Sequence, residues 1–253
     1  MKVVGVDPAP TKGLDVFDGQ HRRVALNGAR SFVSSLGALQ DVLICWDAPL
    51  TGPPGLAVSG GEASGSAFSQ RPIESFFSRA DSGFKAPPGI SVRGYSGCPH
   101  WALSRSLLGL PRVGPFDIGE VSLPFGLLTT DTPPTAGRHV AEVHPAVALW
   151  LWCRTGRGSE ASWEYKKSGS VLGELWGRLL AIPSISQVLS EGPIEAPHSD
   201  DVLDARVAYL LGRLWLNGSR SVVLLGGADQ GTFLLPRVAG LEAAFTSFAA
   251  KSA

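Results

Sequence analysis

The sequence lacks an excess of either charge, with 22 lysines and arginines against 22 aspartates and glutamates in 253 residues. A protein that holds long duplexes by charge alone would be more basic, so a nucleic-acid contact would have to depend on a local patch. Residues 64–116 are one candidate for such a patch, because basic residues outnumber Glu74 and Asp81 there. The basic residues are Arg71, Arg79, Lys85, Arg93, Arg105 and Arg112. Solvated arginines in a loop region would give the same pattern.

Cysteine is scarce, and long apolar runs are missing. The three cysteines, Cys45, Cys98 and Cys153, are odd in number and far apart, which argues against a disulfide framework or a zinc site. We expect buried thiols in a reducing cytosol. No apolar run approaches the roughly 20 residues that a membrane-spanning helix needs. The apolar stretch at the start is too short for a secretory signal. These absences predict a cytoplasmic protein with no membrane partner.

The order of elements predicts an α/β fold. "KVVGVD", "GLDVFDG" and "RRVALNG" read as three strands with short Gly/Asp turns, which favour an antiparallel meander. "SFVSSLGALQ" has helical apolar spacing, and "DVLICWDAPL" is a continuous apolar run typical of a strand buried on both faces. We therefore predict one mixed sheet, with three antiparallel strands followed by parallel strands, flanked by helices within a single domain over residues 1–253.

Residues 51–136 are rich in Gly, Pro and Ser and predict a loop-dominated insertion with two short helices, "IESFFSRA" and "PHWALSRSLLGL". Regular structure then returns as a strand, four helices and two closing apolar segments. They are "RHVAEVHP", "AVALWLWCRTG", "SGSVLGELWGRLLAI", "SISQVLSEG", "SDDVLDARVAYLLGRLWLNG", "SVVLLGG" and "QGTFLLP". The longest helix has a capping residue, Ser199, and a glycine just past its end, Gly218.

Carboxylates stand at the ends of these elements. Asp7 ends the first strand, Asp47 ends the fourth, Glu142 lies in "AEVHP", and Asp201 and Asp204 open the long helix. Reactive groups gather at the carboxyl edge of α/β sheets, and an i, i+3 pair shares one helix face. Clustered carboxylates repel unless cations neutralise them, and Mg²⁺ or Mn²⁺ prefers oxygen ligands. Two such ions about 3.5–4 Å apart could clamp a phosphodiester displacement.

Each of these acids also has a simpler interpretation. Asp before Pro, as at Asp7, is a common turn former, and Asp47 before Ala-Pro is similar. Acids in the first turn of a helix, such as Asp201 and Asp204, favour the macrodipole. Glu142 could simply pair with an arginine. Their joint occurrence at the right elements favours a common site.

Four further residues are candidates for substrate binding. His144 could orient a phosphate or shuttle a proton, Lys166 and Lys167 could grip phosphate, and Arg71 could clamp a phosphate from the insertion. A hydrogen-bonded structural histidine and a solvated helix start remain the alternatives for His144 and the lysines. His198, just before the acidic helix, could help activate water, and the alternative is a plain loop residue.

Five motifs resemble, in order, those of the DUF429 family, predicted nucleases with a ribonuclease H-like fold. They run from residue 3 to about 211: "VVGVDPAPTKG", "ICWDAPL", "EVHPAVALWL", "YKKSGSVLGELWGRLLAI" and "DDVLDARVAYL". The final "GTFLLP" resembles the closing strand of the family. The start of the acidic helix also resembles Holliday-junction resolvases of the same fold.

This resemblance implies metal ligands at Asp7 on the first strand, at Asp47 on the fourth, and at Asp201 and Asp204 on the last helix. Glu142, His144 and the Tyr165-Lys166-Lys167 stretch also match motifs characteristic of the family.

We therefore expect a metal-dependent nuclease or phosphodiesterase that acts on a nucleic acid or nucleotide with Mg²⁺ or Mn²⁺. Its catalytic residues would be Asp7, Asp47, Asp201, Asp204 and Glu142. An actin/hexokinase-type phosphotransferase is one alternative, since "GVDPAPTKG" and "GGADQGTF" could be its phosphate loops. A non-catalytic binding module of the same fold is another. The sequence carries no signal for the oligomeric state.

Overall fold

The computed structural model describes residues 1–9, 11–51, 70–94, 100–110, 125–158, 160–190 and 195–252. The strands are β1 Lys2–Ala9, β2 Gly13–Phe17, β3 His21–Val24, β4 Val42–Trp46, β5 Gly126–Leu127, β6 Arg138–Glu142, β7 Val222–Gly227 and β8 Gly231–Pro236. The helices are α1 Leu26–Gly37, α2 Pro72–Ser78, α3 His100–Leu108, α4 Pro145–Cys153, α5 Gly169–Leu180, α6 Pro183–Leu189, α7 Asp200–Leu216 and α8 Leu241–Ser252. A short 3₁₀ turn, Ala80–Ser82, follows α2.

Six strands form one mixed sheet in the order β3-β2-β1-β4-β6-β5. The hairpins β1–β2 and β2–β3 are antiparallel, whereas the pairs β1–β4, β4–β6 and β5–β6 are parallel. The α/β class and the change from antiparallel to parallel strands are therefore confirmed. β1 and β4 lie at the centre because their apolar runs can be buried on both faces.

Helices cover both faces of this sheet. One core cluster places Val33 of α1 and Leu107 of α3 against Val4 and Ile44. The other cluster includes Leu43 and Cys45 of β4 and the inner residues of α4 to α7. Within α7, the Ser199 hydroxyl accepts a hydrogen bond from the Val202 amide, which confirms the predicted cap.

Helix α7 packs unusually close to the sheet. A β-carbon on Gly5 would overlap the Ala205 carbonyl and the Tyr209 amide of α7. One on Gly212 would lie 2.6 Å from Sγ of Cys45. Glycines on both elements therefore allow α7 to lie directly on β1 and β4. The close approach thus depends on a glycine on each side, Gly5 on the strand and Gly212 on the helix.

Three features differ from the expectation. The short edge strand β5 lies inside residues 51–136 and pairs with β6. The last two strands form a separate β7–β8 hairpin, which meets the main sheet at the Val143–Leu234 bridge. Helix α8 follows this hairpin, so the acidic helix is not the last one. Its buried residues, Leu241, Phe245, Phe248 and Ala249, are spaced as a helical stripe requires.

Cys45 and Cys153 are buried free thiols, as expected, while Cys98 and Arg112 lie outside the described residues. Burial raises the pKa of the Cys153 thiol to about 11. Among the described residues, no helix combines the length and the apolar character needed to cross a bilayer.

Candidate metal and phosphate site

Two carboxylates meet where the central parallel strands end. Val6 pairs with Trp46, and the Asp47 amide donates a hydrogen bond of 3.0 Å to the Val6 carbonyl. Asp47 directly follows β4, whereas Asp7 lies inside β1, so the expectation that Asp7 ends the first strand is wrong: the hairpin pairing with β2 carries β1 on to Ala9. The two acids still come at the same level, because the parallel pairing of β1 with β4 ends at Val6. Because side chains alternate along a strand, Asp7 lies on the face of Gly5, which is covered by α7. The predicted juxtaposition of these two acids is present in the structure.

Helix α7 brings a third carboxylate to this point. Asp204 is fully buried, and its Oδ1 accepts a hydrogen bond of 2.7 Å from the Tyr165 hydroxyl. The Lys166 ammonium lies 2.8 Å from Oδ2 of Asp204. Two adjacent residues of the turn before α5 therefore hold both oxygens of this carboxylate.

All three acids have a raised proton affinity. Burial, together with the charge of Asp204, raises the pKa of Asp47 to about 8. Burial and the charges of Asp204 and Asp47 raise the pKa of Asp7 well above its usual range. Burial also raises the pKa of Asp204, against the opposing effect of Lys166. Three carboxylates around one ammonium retain an excess of negative charge, which protons or a cation must offset.

Asp201 is held by two basic side chains. Its Oδ2 is 3.1 Å from the Lys12 ammonium and 3.2 Å from the Arg23 guanidinium. Arg23 also binds the buried Asp15 at 2.7 Å. Asp201 thus ties the start of α7 to the β1–β2 hairpin and to β3, and its charge still reaches Asp7, whose pKa it raises less than Asp204 does.

The two histidines predicted to act near the acids have different surroundings. His198 is exposed and stands edge-on to His21, with ring centroids 5.8 Å apart. Burial and the charge of Lys166 lower the pKa of His144 to about 3, so this imidazole is neutral at pH 7. Among the described residues, its buried Nδ1 has no hydrogen-bond partner. His144 can therefore form a hydrogen bond with a ligand. Because the imidazole is neutral at pH 7, it cannot act there as a general acid.

Glu142 and Arg71 form a buried ion-pair network. The Glu142 carboxylate accepts hydrogen bonds from the Leu50 and Thr51 amides at 2.9 and 3.1 Å, and it contacts the Arg71 guanidinium. Arg71 also pairs with Glu74 and is completely buried. The alternative that Glu142 pairs with an arginine is therefore what the structure shows. The expectation that Arg71 clamps substrate is not supported, because its guanidinium is enclosed by protein groups.

The predicted basic patch is not one surface within the described ranges. Arg71 and Arg105 are buried, and the Arg79 guanidinium is paired with Asp81 at 2.7 Å. Arg93 is exposed, and its Nε donates to the Ser91 hydroxyl. The arginines of this segment therefore serve different parts of the fold.

A cavity of about 660 Å³ opens beside the acids. Asp7, Asp47 and Glu142 line one side, and Lys166, Lys167 and Arg93 supply positive charge around it. His144 and Phe233 complete part of the wall, with ring centroids 5.1 Å apart. The cavity thus combines oxygen ligands suited to a hard cation with basic groups suited to phosphate.

The donor set fits a divalent cation in chemistry and charge. Asp7 and Asp47 line the cavity, and the charge of the buried Asp204 raises the pKa of Asp7. Across the described ranges, however, no three His, Cys, Asp or Glu side chains are grouped so as to hold one metal ion. Oδ1 of Asp204 is hydrogen-bonded to Tyr165, and its Oδ2, which has no hydrogen bond, is in ion-pair contact with Lys166.

Sequence reasoning missed two residues that shape the site. Asp15 is buried in β2 directly opposite Asp7, where it binds His21 and Arg23. A lone acid inside the apolar run "GLDVF" was the available signal. Tyr165 belongs to a motif of the sequence, but its hydrogen bond to Asp204 joins residues 39 positions apart and leaves no local pattern.

The comparisons with known proteins give one match. Residues 119–226 match the model of a family described as "Protein of unknown function (DUF429)". This segment includes Glu142, His144, Lys166 and Asp204 and begins after Asp7 and Asp47, and the match supports the family resemblance. No curated protein and no solved structure matches the chain.

Proposed function

We propose that this protein is a divalent-metal-dependent nuclease or phosphodiesterase with a ribonuclease H-like fold, using Mg²⁺ or Mn²⁺. The observation that carries the proposal is the meeting of Asp7, Asp47 and Asp204 at the carboxyl edge of the sheet beside a cavity with basic groups. The buried free thiols support a reducing, cytoplasmic setting.

The sheet order supports the fold assignment. An antiparallel unit, β3-β2-β1, continues into the parallel strands β4 and β6, and α7 packs on β1. This is the arrangement that the resemblance implies, with acids on the first strand, on the fourth strand and on a later helix. The proposal thus depends on the order of elements as well as on the acids.

Each part of the site has a defined role in this proposal. Asp7 and Asp47 offer oxygen ligands, and Tyr165 and Lys166 orient Asp204. Neutral His144 holds a substrate group by a hydrogen bond, and Lys167 attracts phosphate at the cavity wall. The chemistry supplied by a bound cation is polarisation of a phosphoryl oxygen and a lowered pKa of bound water. Glu142 contributes indirectly, since its charge raises the pKa of Asp47.

The size of the cavity bears on the substrate. At about 660 Å³, it lies within the roughly 300–1,000 Å³ of pockets for small molecules. We infer that the site takes a nucleotide, or a short portion of a nucleic-acid strand, at the acid edge. A protein with equal numbers of acidic and basic residues is better suited to a substrate of this size than to a long duplex, which is bound through an excess of positive charge.

The phosphotransferase alternative has less support. Pro8 and Ala9 remain in β1, paired with Leu14 and Gly13, so the strand does not open into a phosphate loop directly after Asp7. The nearby Lys12 ammonium is engaged by Asp201. The binding-module alternative is addressed by the same assay as the main proposal.

The test is Mn²⁺-dependent hydrolysis of bis(p-nitrophenyl) phosphate and of single-stranded oligonucleotides. We expect activity in the native protein, loss of activity in Asp7→Asn and Asp47→Asn, and full activity in Asp229→Asn. Asp229 is an exposed acid in the β7–β8 turn and serves as the matched control. Unchanged hydrolysis by a folded Asp7→Asn protein would refute the assignment. Thermal stabilisation by ATP-Mg²⁺, but not by metal alone, would favour the phosphotransferase.

A further inference from the structure

The third carboxylate of the site is already occupied. Tyr165 donates to Oδ1 of Asp204 at 2.7 Å, and the Lys166 ammonium lies 2.8 Å from Oδ2. Asp7 and Asp47, in contrast, line the cavity. A cation entering from the cavity therefore reaches two carboxylates directly and meets Lys166 at the third.

The two partners of the ion pair differ in their freedom to move. Asp204 is fully buried on α7, and the close contact of this helix with Gly5 fixes its position. The Lys166 side chain is 51% exposed and extends from a turn. Its stem can change rotamer with the ammonium remaining in water, because a flexible lysine carries its charge to solvent at small cost. The ion pair can thus open without any movement of the helix.

We propose that Lys166 is an internal counter-ion that competes with the divalent cation for Asp204 and turns into the cavity when the cation binds. This inference rests on the proposed function. Lys166 is then a positioning residue: before metal entry it neutralises part of the acid cluster, and afterwards its ammonium is available to a phosphate. Binding of the cation and binding of the phosphate are coupled through Lys166, since each ligand favours the state in which the Lys166–Asp204 ion pair is broken.

Metal affinity provides the first test. We would titrate the purified protein with Mn²⁺ alone at pH 8 by calorimetry, comparing native protein, Lys166→Met and Lys2→Met. Lys2 is the matched control, because its ammonium also pairs with an aspartate, Asp18, at 2.8 Å and it does not line the cavity. We expect Lys166→Met to bind Mn²⁺ on the order of tenfold more tightly, since no charge-assisted contact has to be broken. Lys2→Met should bind like the native protein. Equal or weaker binding by Lys166→Met would overturn the proposal.

Amine labelling of the native protein provides a second test, with Asp204→Asn as its reference state. A lysine bound to a carboxylate reacts slowly with an N-hydroxysuccinimide ester, and the Lys166-to-Lys167 labelling ratio can be read by mass spectrometry. We expect Mn²⁺ to raise this ratio several-fold, towards that of Asp204→Asn protein without metal, in which the ion pair is absent. A ratio unaffected by saturating Mn²⁺ would contradict the proposal.

The two proposals fail in different ways. If Mn²⁺ binds and Asp7→Asn abolishes that binding, but neither Lys166 readout changes, only the counter-ion role is wrong. If neither the native protein nor Lys166→Met binds Mn²⁺, both the counter-ion role and the proposed function are wrong.

Discussion

Gly5 of β1 lies directly against the backbone of Ala205 on α7. A β-carbon at position 5 would approach the Ala205 carbonyl and the Tyr209 amide more closely than 3.0 Å, a separation that real β-carbons essentially never show. Because Asp204 precedes Ala205 and Asp7 follows Gly5 by two residues on the same face, this contact sets the third carboxylate beside the first. The metal proposal thus depends on the absence of a side chain at position 5.

Substitution of Gly5 by alanine should destabilise the protein by about 3 kcal/mol, because strand and helix would have to separate. The free energy of unfolding can be measured by urea denaturation. The matched control is Gly173→Ala in α5, where an added β-carbon meets nothing within 4 Å. This control should gain roughly 0.5–1 kcal/mol from helix propensity. A native-like stability of Gly5→Ala would contradict the described packing.

Arg71→Met should destabilise the protein by about 3–5 kcal/mol, because it leaves the buried Glu142 and Glu74 carboxylates without their cation. Adding Glu74→Gln to Arg71→Met should recover part of this loss. Thermal and urea unfolding would measure both effects. Arg79→Met, which breaks the exposed pair with Asp81, should leave the midpoint unchanged. Equal effects of the two arginine substitutions would refute a special role for the buried network.

The raised pKa of Asp47 predicts a pH-dependent stability in a metal-free, chelated buffer. The folded protein retains a proton that the unfolded chain releases, so the free energy of unfolding falls as pH rises from about 4 to about 8. One such group gives a slope of at most about 1.4 kcal/mol per pH unit. Asp47→Asn should therefore match the native protein near pH 4 and exceed its stability at pH 8. Parallel stability curves for the two proteins would contradict this.

Asp201 and Asp204 should differ in their importance, although the sequence presents them as a pair. Asp204→Asn removes a carboxylate of the cluster and should weaken Mn²⁺ binding by more than about 100-fold, whereas Asp201→Asn should cost at most about tenfold. The reason is that Lys12 and Arg23 neutralise Asp201 at 3.1 and 3.2 Å, and its charge acts on Asp7 more weakly than that of Asp204. Calorimetric titration of both variants would measure the difference, and equal losses would refute it.

The parts of the fold that follow from local patterns could be predicted. Asp7 and Asp47 each end an apolar run, and neighbouring parallel strands place the ends of such runs at one sheet edge. Helix α7 carries its own signals at Ser199 and Gly218. The different partners of Asp201 and Asp204 could not be read from spacing, because they reach the helix from elements distant in the chain.

The buried network illustrates the same limit. Arg71 appeared to be a basic residue of a loop region, and only tertiary structure places it between Glu74 and Glu142. A pairing across 71 positions leaves no periodic trace in the sequence. The arginine partner of Glu142, in contrast, is foreseeable from the general cost of burying a carboxylate without a counter-charge.

Arg71 also links residues that lie far apart in the chain by hydrogen bonds. Nη1 of Arg71 donates to the Thr51 carbonyl at 3.0 Å and to the Thr51 hydroxyl at 2.7 Å, and the Thr232 amide donates to that hydroxyl. Thr51 and Arg71 are thereby fastened to each other and to β8. A single arginine thus joins three distant parts of the chain, at Thr51, at Glu142 and at β8, and its loss should loosen all three together.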